Sequence, residues 1–139
     1  MYPSLQFEFS NSLKNINIKN LKKKIKFKSK NFKRDIKILS FKKDIFIILG
    51  RPIIKDKVNF KDIPFLFLDE KRKKEINGEF LIFRINTENS ELQIMNDRFA
   101  SIQMFYFEYK KKLYISLNYI DTFKKLIEIK ILKIREYTF

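Results

Sequence analysis

The chain has 139 residues, with 31 Lys and Arg against 16 Asp and Glu, a formal charge of +15, 45% hydrophobic and 16% aromatic residues, and no Cys, His or Trp. That length suits one core; the composition is too apolar for a disordered tail and, at 34% charged with a mean hydropathy of -0.33, too polar for a membrane bundle. The missing residue types exclude disulfides, thiolate and imidazole metal sites, and catalysis that moves protons through histidine or attacks with cysteine.

Alternation of apolar and polar residues over Leu5–Phe9 predicts a half-buried strand. A helix using Leu13, Ile16 and Leu21 is expected from Ser12 to Lys23, followed by a strand over Ile25–Lys28. Asp44–Leu49 and Phe80–Ile85 are nearly continuous apolar runs rich in Ile and Phe, the pattern of central strands covered on both faces. Between them a helix is expected over Ile63–Lys74, capped by Asp62, with Pro64 in its first turn and Lys71–Lys74 at its carboxyl end. Leu92–Asn96, Leu113–Leu117 and Ile127–Ile131 alternate again, and Met104–Tyr109 is expected as a further strand, with polar turns at Thr87–Ser90 and Lys110–Lys112. The expected fold is α+β, an antiparallel, strand-rich sandwich in one domain spanning residues 1–139.

The order of elements, with Gly50 and Gly78 as the only glycines, carries a resemblance. Ile76-Asn-Gly-Glu-Phe80 resembles the "Leu-x-Gly-x-Phe" opening of a central strand in the glutamine-hydrolysing domain of asparagine synthetases. Asn96-Asp-Arg-Phe-Ala-Ser-Ile-Gln-Met-Phe-Tyr106 is similar to that family's "Arg-Asp-Arg-x-Gly-x-x-Pro-Leu-Tyr-Tyr", and Lys112-Leu-Tyr-Ile-Ser116 to its "Leu-x-Phe-x-Ser" strand. Phe46-Ile-Ile-Leu-Gly-Arg51 falls where the family has a strand ending in Asn-Gly. The match covers about Asp44 to Leu126 and marks Gly50, Gly78, Phe80, Asp97, Arg98, Tyr106 and Ser116 as family-motif positions. It implies a trimmed Ntn-hydrolase sandwich, the class II glutamine amidotransferase domain.

The departures from the family decide the chemistry that the resemblance implies. Its nucleophile is an amino-terminal Cys whose own α-amino group is the base, whereas Met1 is followed here by the bulky Tyr2; Ser4 or Ser10 could serve only after an unusual cleavage. Leu49 replaces the oxyanion-binding Asn, Ala100 replaces the glycine after Asp-Arg, and Gln103 replaces the proline. No residue matches the family's arginine for the glutamine carboxylate. The resemblance therefore implies an inactive scaffold with no cofactor of its own. Relatives with inert amidotransferase domains, the β-lactam synthetases and lasso-peptide cyclases, keep that domain beside an ATP-using one. An ATP-pyrophosphatase domain or subunit is the expected partner, and ATP and Mg are expected only there, because no Ser-Gly-Gly-x-Asp-Ser loop occurs in this chain.

Other residues are read on their own chemistry. Asp97 and Arg98 are adjacent and face opposite sides of an extended chain, so each needs its own partner; a structural role bracing the turn is expected. Arg84 interrupts an apolar strand and needs a carboxylate such as Glu91 or Glu79. The acids show no spacing for paired-carboxylate catalysis. The basic clusters Lys22–Lys24, Lys71–Lys74 and Lys110–Lys112 lie on different elements, and the abundance of Lys with Asn, Ile and Phe also fits A/T-rich codons. Specific nucleic-acid binding is not expected, although a small basic nucleic-acid-binding protein is the alternative function. With no leader and no run near the ~20 apolar residues of a membrane span, a cytoplasmic location without membrane contact is expected.

Overall fold

The two longest apolar runs pair with each other, and the other strands of their sheet are arranged around that pair. The computed structural model describes residues 5–9, 25–27, 36–89, 91–110, 112–117 and 119–128. The strands are β1 (Leu5–Phe9), β2 (Ile25–Phe27), β3 (Ile36–Phe41), β4 (Asp44–Ile54), β5 (Lys57–Val58), β6 (Asn77–Asn86), β7 (Leu92–Asn96), β8 (Phe105–Tyr109) and β9 (Lys112–Ser116). Helices α1 (Ile63–Phe67) and α2 (Tyr119–Glu128) and one 3₁₀ turn (Lys73–Glu75) complete the described elements. The fold mixes helix and strand, with its described pairings antiparallel in two open sheets, ordered β2-β1-β9-β8 and β3-β4-β6-β7, with β5 also on β4.

β4 and β6 run in register from Asp44↔Asn86 to Ile53↔Asn77 in the interior of the larger sheet. Both faces of this pair are covered. Ile45, Ile47, Leu49, Leu81, Phe83 and Ile85 point to the smaller sheet and meet Ile115 of β9 together with Ile102 and Leu117. Phe46, Ile48, Phe80 and Ile82 point the other way, against Ile63, Leu66 and Phe67 of α1 and against Ile76. Phe46 and Phe67 meet edge to face with centroids 5.4 Å apart. Each such side chain, when fully buried, contributes about 1.5–3 kcal/mol. On the outer face of the smaller sheet, Tyr114 stacks on Phe107 at 4.8 Å and Lys125 of α2 lies 5.3 Å from the Tyr114 ring. The order of layers is thus helix, sheet, sheet, helix. Among the described residues no helix is long and apolar enough to cross a membrane.

Several elements depart from the sequence expectation. The helix at Ile63 is one short element, and Asp62 at its start makes no capping bond; its carboxylate instead accepts from the Asn59 side chain at 2.9 Å. After Leu68 come seven consecutive charged residues, 69–75, which offer nothing to bury. Asp69 Oδ1 accepts from the Lys71 N–H at 3.0 Å, so a new turn begins there. Ile127 and Glu128 belong to α2 rather than to a strand, because Ile120, Phe123 and Ile127 repeat at helical spacing; residues 129–131 lie outside the described residues, as does the helix expected over Ser12–Lys23. Strand β3, not expected from the sequence, pairs with β4 through a turn at Lys42 and Lys43 in which Lys42 has φ 54°.

Gly50 and Gly78 have φ of +90° and +89°, and a Cβ on either would strike backbone, the Glu79 carbonyl oxygen at Gly50 and the Arg51 carbonyl oxygen at Gly78. They flank the Arg51↔Glu79 pair, so the β4–β6 ladder keeps its register while the backbone on either side of that pair has positive φ. Gly50→Ala and Gly78→Ala are each expected to cost about 1–3 kcal/mol. Ala100, exposed at φ 49°, is the opposite case: Ala100→Gly should leave stability unchanged or raise it by up to about 1 kcal/mol. Chemical denaturation midpoints check all three.

Candidate functional site

Four of the seven motif positions converge where β6 begins and β7 ends. Leu81↔Asn96 is the last backbone pair of that ladder, and the next position would pair Phe80 with Asp97. Asp97 N–H donates to the Phe80 carbonyl at 3.2 Å, as a ladder residue would. The Phe80 N–H, however, donates to Asp97 Oδ2 at 3.1 Å, so the side-chain carboxylate stands where a backbone carbonyl belongs. The chain can leave the sheet there without orphaning a buried donor. The same carboxylate accepts from the Phe99 N–H (2.9 Å), the Ser101 N–H (3.3 Å) and the Ser101 hydroxyl (3.0 Å). Asp97 is 5% exposed. Burial pushes its pKa up, but the bonds from Phe80, Phe99 and Ser101 outweigh burial and hold the carboxyl below its ordinary value.

Gly50 lies opposite Phe80 in the β4–β6 ladder, and Gly78 opposite Pro52, so Gly50, Gly78, Phe80 and Asp97 share one corner. The other motif positions are elsewhere or turned outward. Arg98 is exposed. Tyr106 lies on edge strand β8, opposite Ile115, and is 65% exposed. Ser116 is buried in β9 between Gln6 of β1 and Phe105 of β8. Leu49 is fully buried between the sheets.

Arg84 is neutralised by Asp44 rather than by either expected glutamate. Its Nε and second guanidinium nitrogen donate to the two Asp44 oxygens at 3.0 and 3.3 Å, and its remaining nitrogen donates to Gln93 Oε1 at 2.8 Å. The expected partners, Glu79 and Glu91, are exposed; Glu91 enters only through Gln93, whose amide reaches it at 3.4 Å. With 18% and 8% exposure, the Arg84–Asp44 pair is mostly buried and bidentate.

Two depressions lie among the described residues. A cavity of about 630 Å³ lies beside the Asp97 turn and is lined by Leu81, Ile94, Asn96, Ile102, Gln103 and Phe105, an apolar floor with two amide side chains. A second, of about 470 Å³, lies by the β4–β5 turn and includes Lys55, Lys57, Asp62 and Arg72. Its guanidinium is already occupied, since Arg72 Nε donates to Glu75 at 2.8 Å. Lys43, Lys73 and Lys125 likewise pair with Glu88, Glu70 and Glu128. Among the described residues no three metal-ligating side chains converge.

Asp97→Asn should cost about 3 kcal/mol at neutral pH, because a charged acceptor of several hydrogen bonds is lost. The folded pKa is lowered, so the carboxylate's contribution is present above its unfolded value, about 3.9, and is lost as pH falls through the folded value. The gap between wild type and Asp97→Asn should therefore narrow as denaturation is followed from pH 6 down past about pH 3. For the buried pair, Asp44→Ala alone should cost about 3–5 kcal/mol, and Asp44→Ala combined with Arg84→Met should recover most of it.

No family model, curated protein or solved structure matches the chain.

Proposed function

We propose that this chain is a catalytically silent module of the glutamine-amidotransferase type, serving as a scaffold for an ATP-dependent amide-forming domain related to asparagine synthetase. One observation carries the reading: the left-handed backbone at Gly50, Gly78 and Ala100, the positions where the resembling family has glycines, together with Asp97 bound to the start of the Gly-x-Phe strand. Two stacked antiparallel sheets with short helical cover on their outer faces support the same reading, as a trimmed Ntn-hydrolase sandwich.

The chemistry of the corner is that of a brace. Asp97 spends both oxygens on donors of its own turn and of β6, and its lowered pKa makes it a poor proton carrier near neutrality. Leu49 offers a developing oxyanion no donor beyond backbone. In this reading ATP and Mg belong to the partner, and the sandwich contributes surface and rigidity.

The purified chain, with its amino terminus verified by mass spectrometry, should release no ammonia from glutamine above a buffer blank. An ATP-pyrophosphatase domain encoded beside it, carrying Ser-Gly-Gly-x-Asp-Ser, should co-purify with it. Ammonia release from the intact chain would refute the silent-module reading. Retention of nucleic acid at salt well above about 0.15 M would favour the basic-protein alternative, because weak phosphate contacts are lost by then.

A further inference from the structure

Open sheet edges invite pairing, and most of the described edges here carry a charge that discourages it. β2, β3, β5 and β8 contain Lys26, Lys37, Lys57 and Glu108 respectively. β7 reads Leu-Gln-Ile-Met-Asn, contains no charge, and exposes Ile94 at its centre to 39%. The 630 Å³ apolar cavity runs along the same strand, through Ile94 and Asn96.

The ladder fixes which backbone groups face outward. The Asn86 N–H donates to the Glu91 carbonyl and the Asp97 N–H to the Phe80 carbonyl, at opposite ends of the β6–β7 pair. Bonding pairs alternate along an antiparallel ladder, so Gln93 and Met95 turn their backbone groups to β6, while Leu92, Ile94 and Asn96 turn theirs to the open side. Among the described residues no strand pairs there.

We propose that β7 pairs antiparallel with β7 of a second copy about a two-fold axis at Ile94, joining the two larger sheets edge to edge. In that register Ile94 faces Ile94 and Leu92 faces Asn96, all at outward-bonding positions, so the N–H and C=O groups along the edge find partners. In the same register Glu91 falls opposite Asp97 of the second copy, whose carboxylate is taken up by Phe80, Phe99 and Ser101 of its own chain, and exposed Arg98 next to it is the charge left to meet exposed Glu91. The +15 charge per chain opposes association, but it is screened beyond about 8 Å at physiological ionic strength. The dimer should tighten as salt rises, the reverse of nucleic-acid binding. This inference stands apart from the scaffold reading and rests on the edge alone.

The chain contains no Cys, so Ile94→Cys places a single thiol on the proposed axis. Across a bonded antiparallel pair the Cα atoms lie about 5.5 Å apart, within reach of a disulfide. Under mild oxidation Ile94→Cys should form covalent dimer at least about tenfold faster than Ser40→Cys, an exposed position on edge strand β3, because pairing raises the effective thiol concentration. Sedimentation equilibrium should show wild type dimerising with concentration and Ile94→Lys remaining monomeric, with the same thermal midpoint for both monomers. A wild-type monomer at every concentration and salt, equal cross-linking at the two positions, or a dimer that survives Ile94→Lys would each overturn the proposal.

Discussion

The β4–β6 ladder is the constraint on which the rest of the fold depends. Its residues alternate between two apolar layers, one against β9 and the Ile102 loop and the other against α1. A one-residue slip would exchange those layers, moving Phe46 and Ile48 into the space built for Ile47 and Leu49. Register is therefore fixed by packing on both faces. The two glycines take positive φ beyond Leu49 while the register continues, and at the far end Thr87 ties the β6–β7 turn to the β3–β4 turn by donating to the Lys43 carbonyl from its N–H and its hydroxyl at 2.8 and 2.9 Å.

Ladder ends expose donors, and this chain resolves one of them with a side chain. Asp97 takes the place of its own carbonyl opposite Phe80, and the same carboxylate then organises residues 99–101. A carboxylate engaged in this way serves geometry rather than proton transfer. Arg84 and Asp44 follow the same logic, two charges on neighbouring strands that satisfy one another at the edge of an apolar layer.

Much of the architecture was legible in the sequence because burial on both faces leaves continuous apolar runs, as at Asp44–Leu49 and Phe80–Ile85, and burial on one face leaves alternation, as at Leu92–Asn96. What escaped was encoded in conformation or distance. The turns at Lys42 and at Lys55–Asp56 adopt positive φ without glycine or asparagine, so nothing announced β3 or β5. The alternation of Ile127-Glu128-Ile129 hid the helical spacing that starts at Ile120. Asp44 and Arg84 are forty residues apart, and only the register of the ladder brings them diagonal to each other. Asp97 stands out in the sequence as half of an Asp-Arg motif, yet its partner is the backbone of Phe80, which carries no side-chain signature.

Whether the Asp97 corner is a structural brace or a proton-handling site is decided by following the Asp97 carboxyl carbon by NMR through an acid titration. The midpoint should lie below the ordinary aspartate value of about 3.9, with the Phe80 and Ser101 amide protons shifting in the same step. A midpoint well above that value, with the Phe80 amide unmoved, would contradict a structural brace.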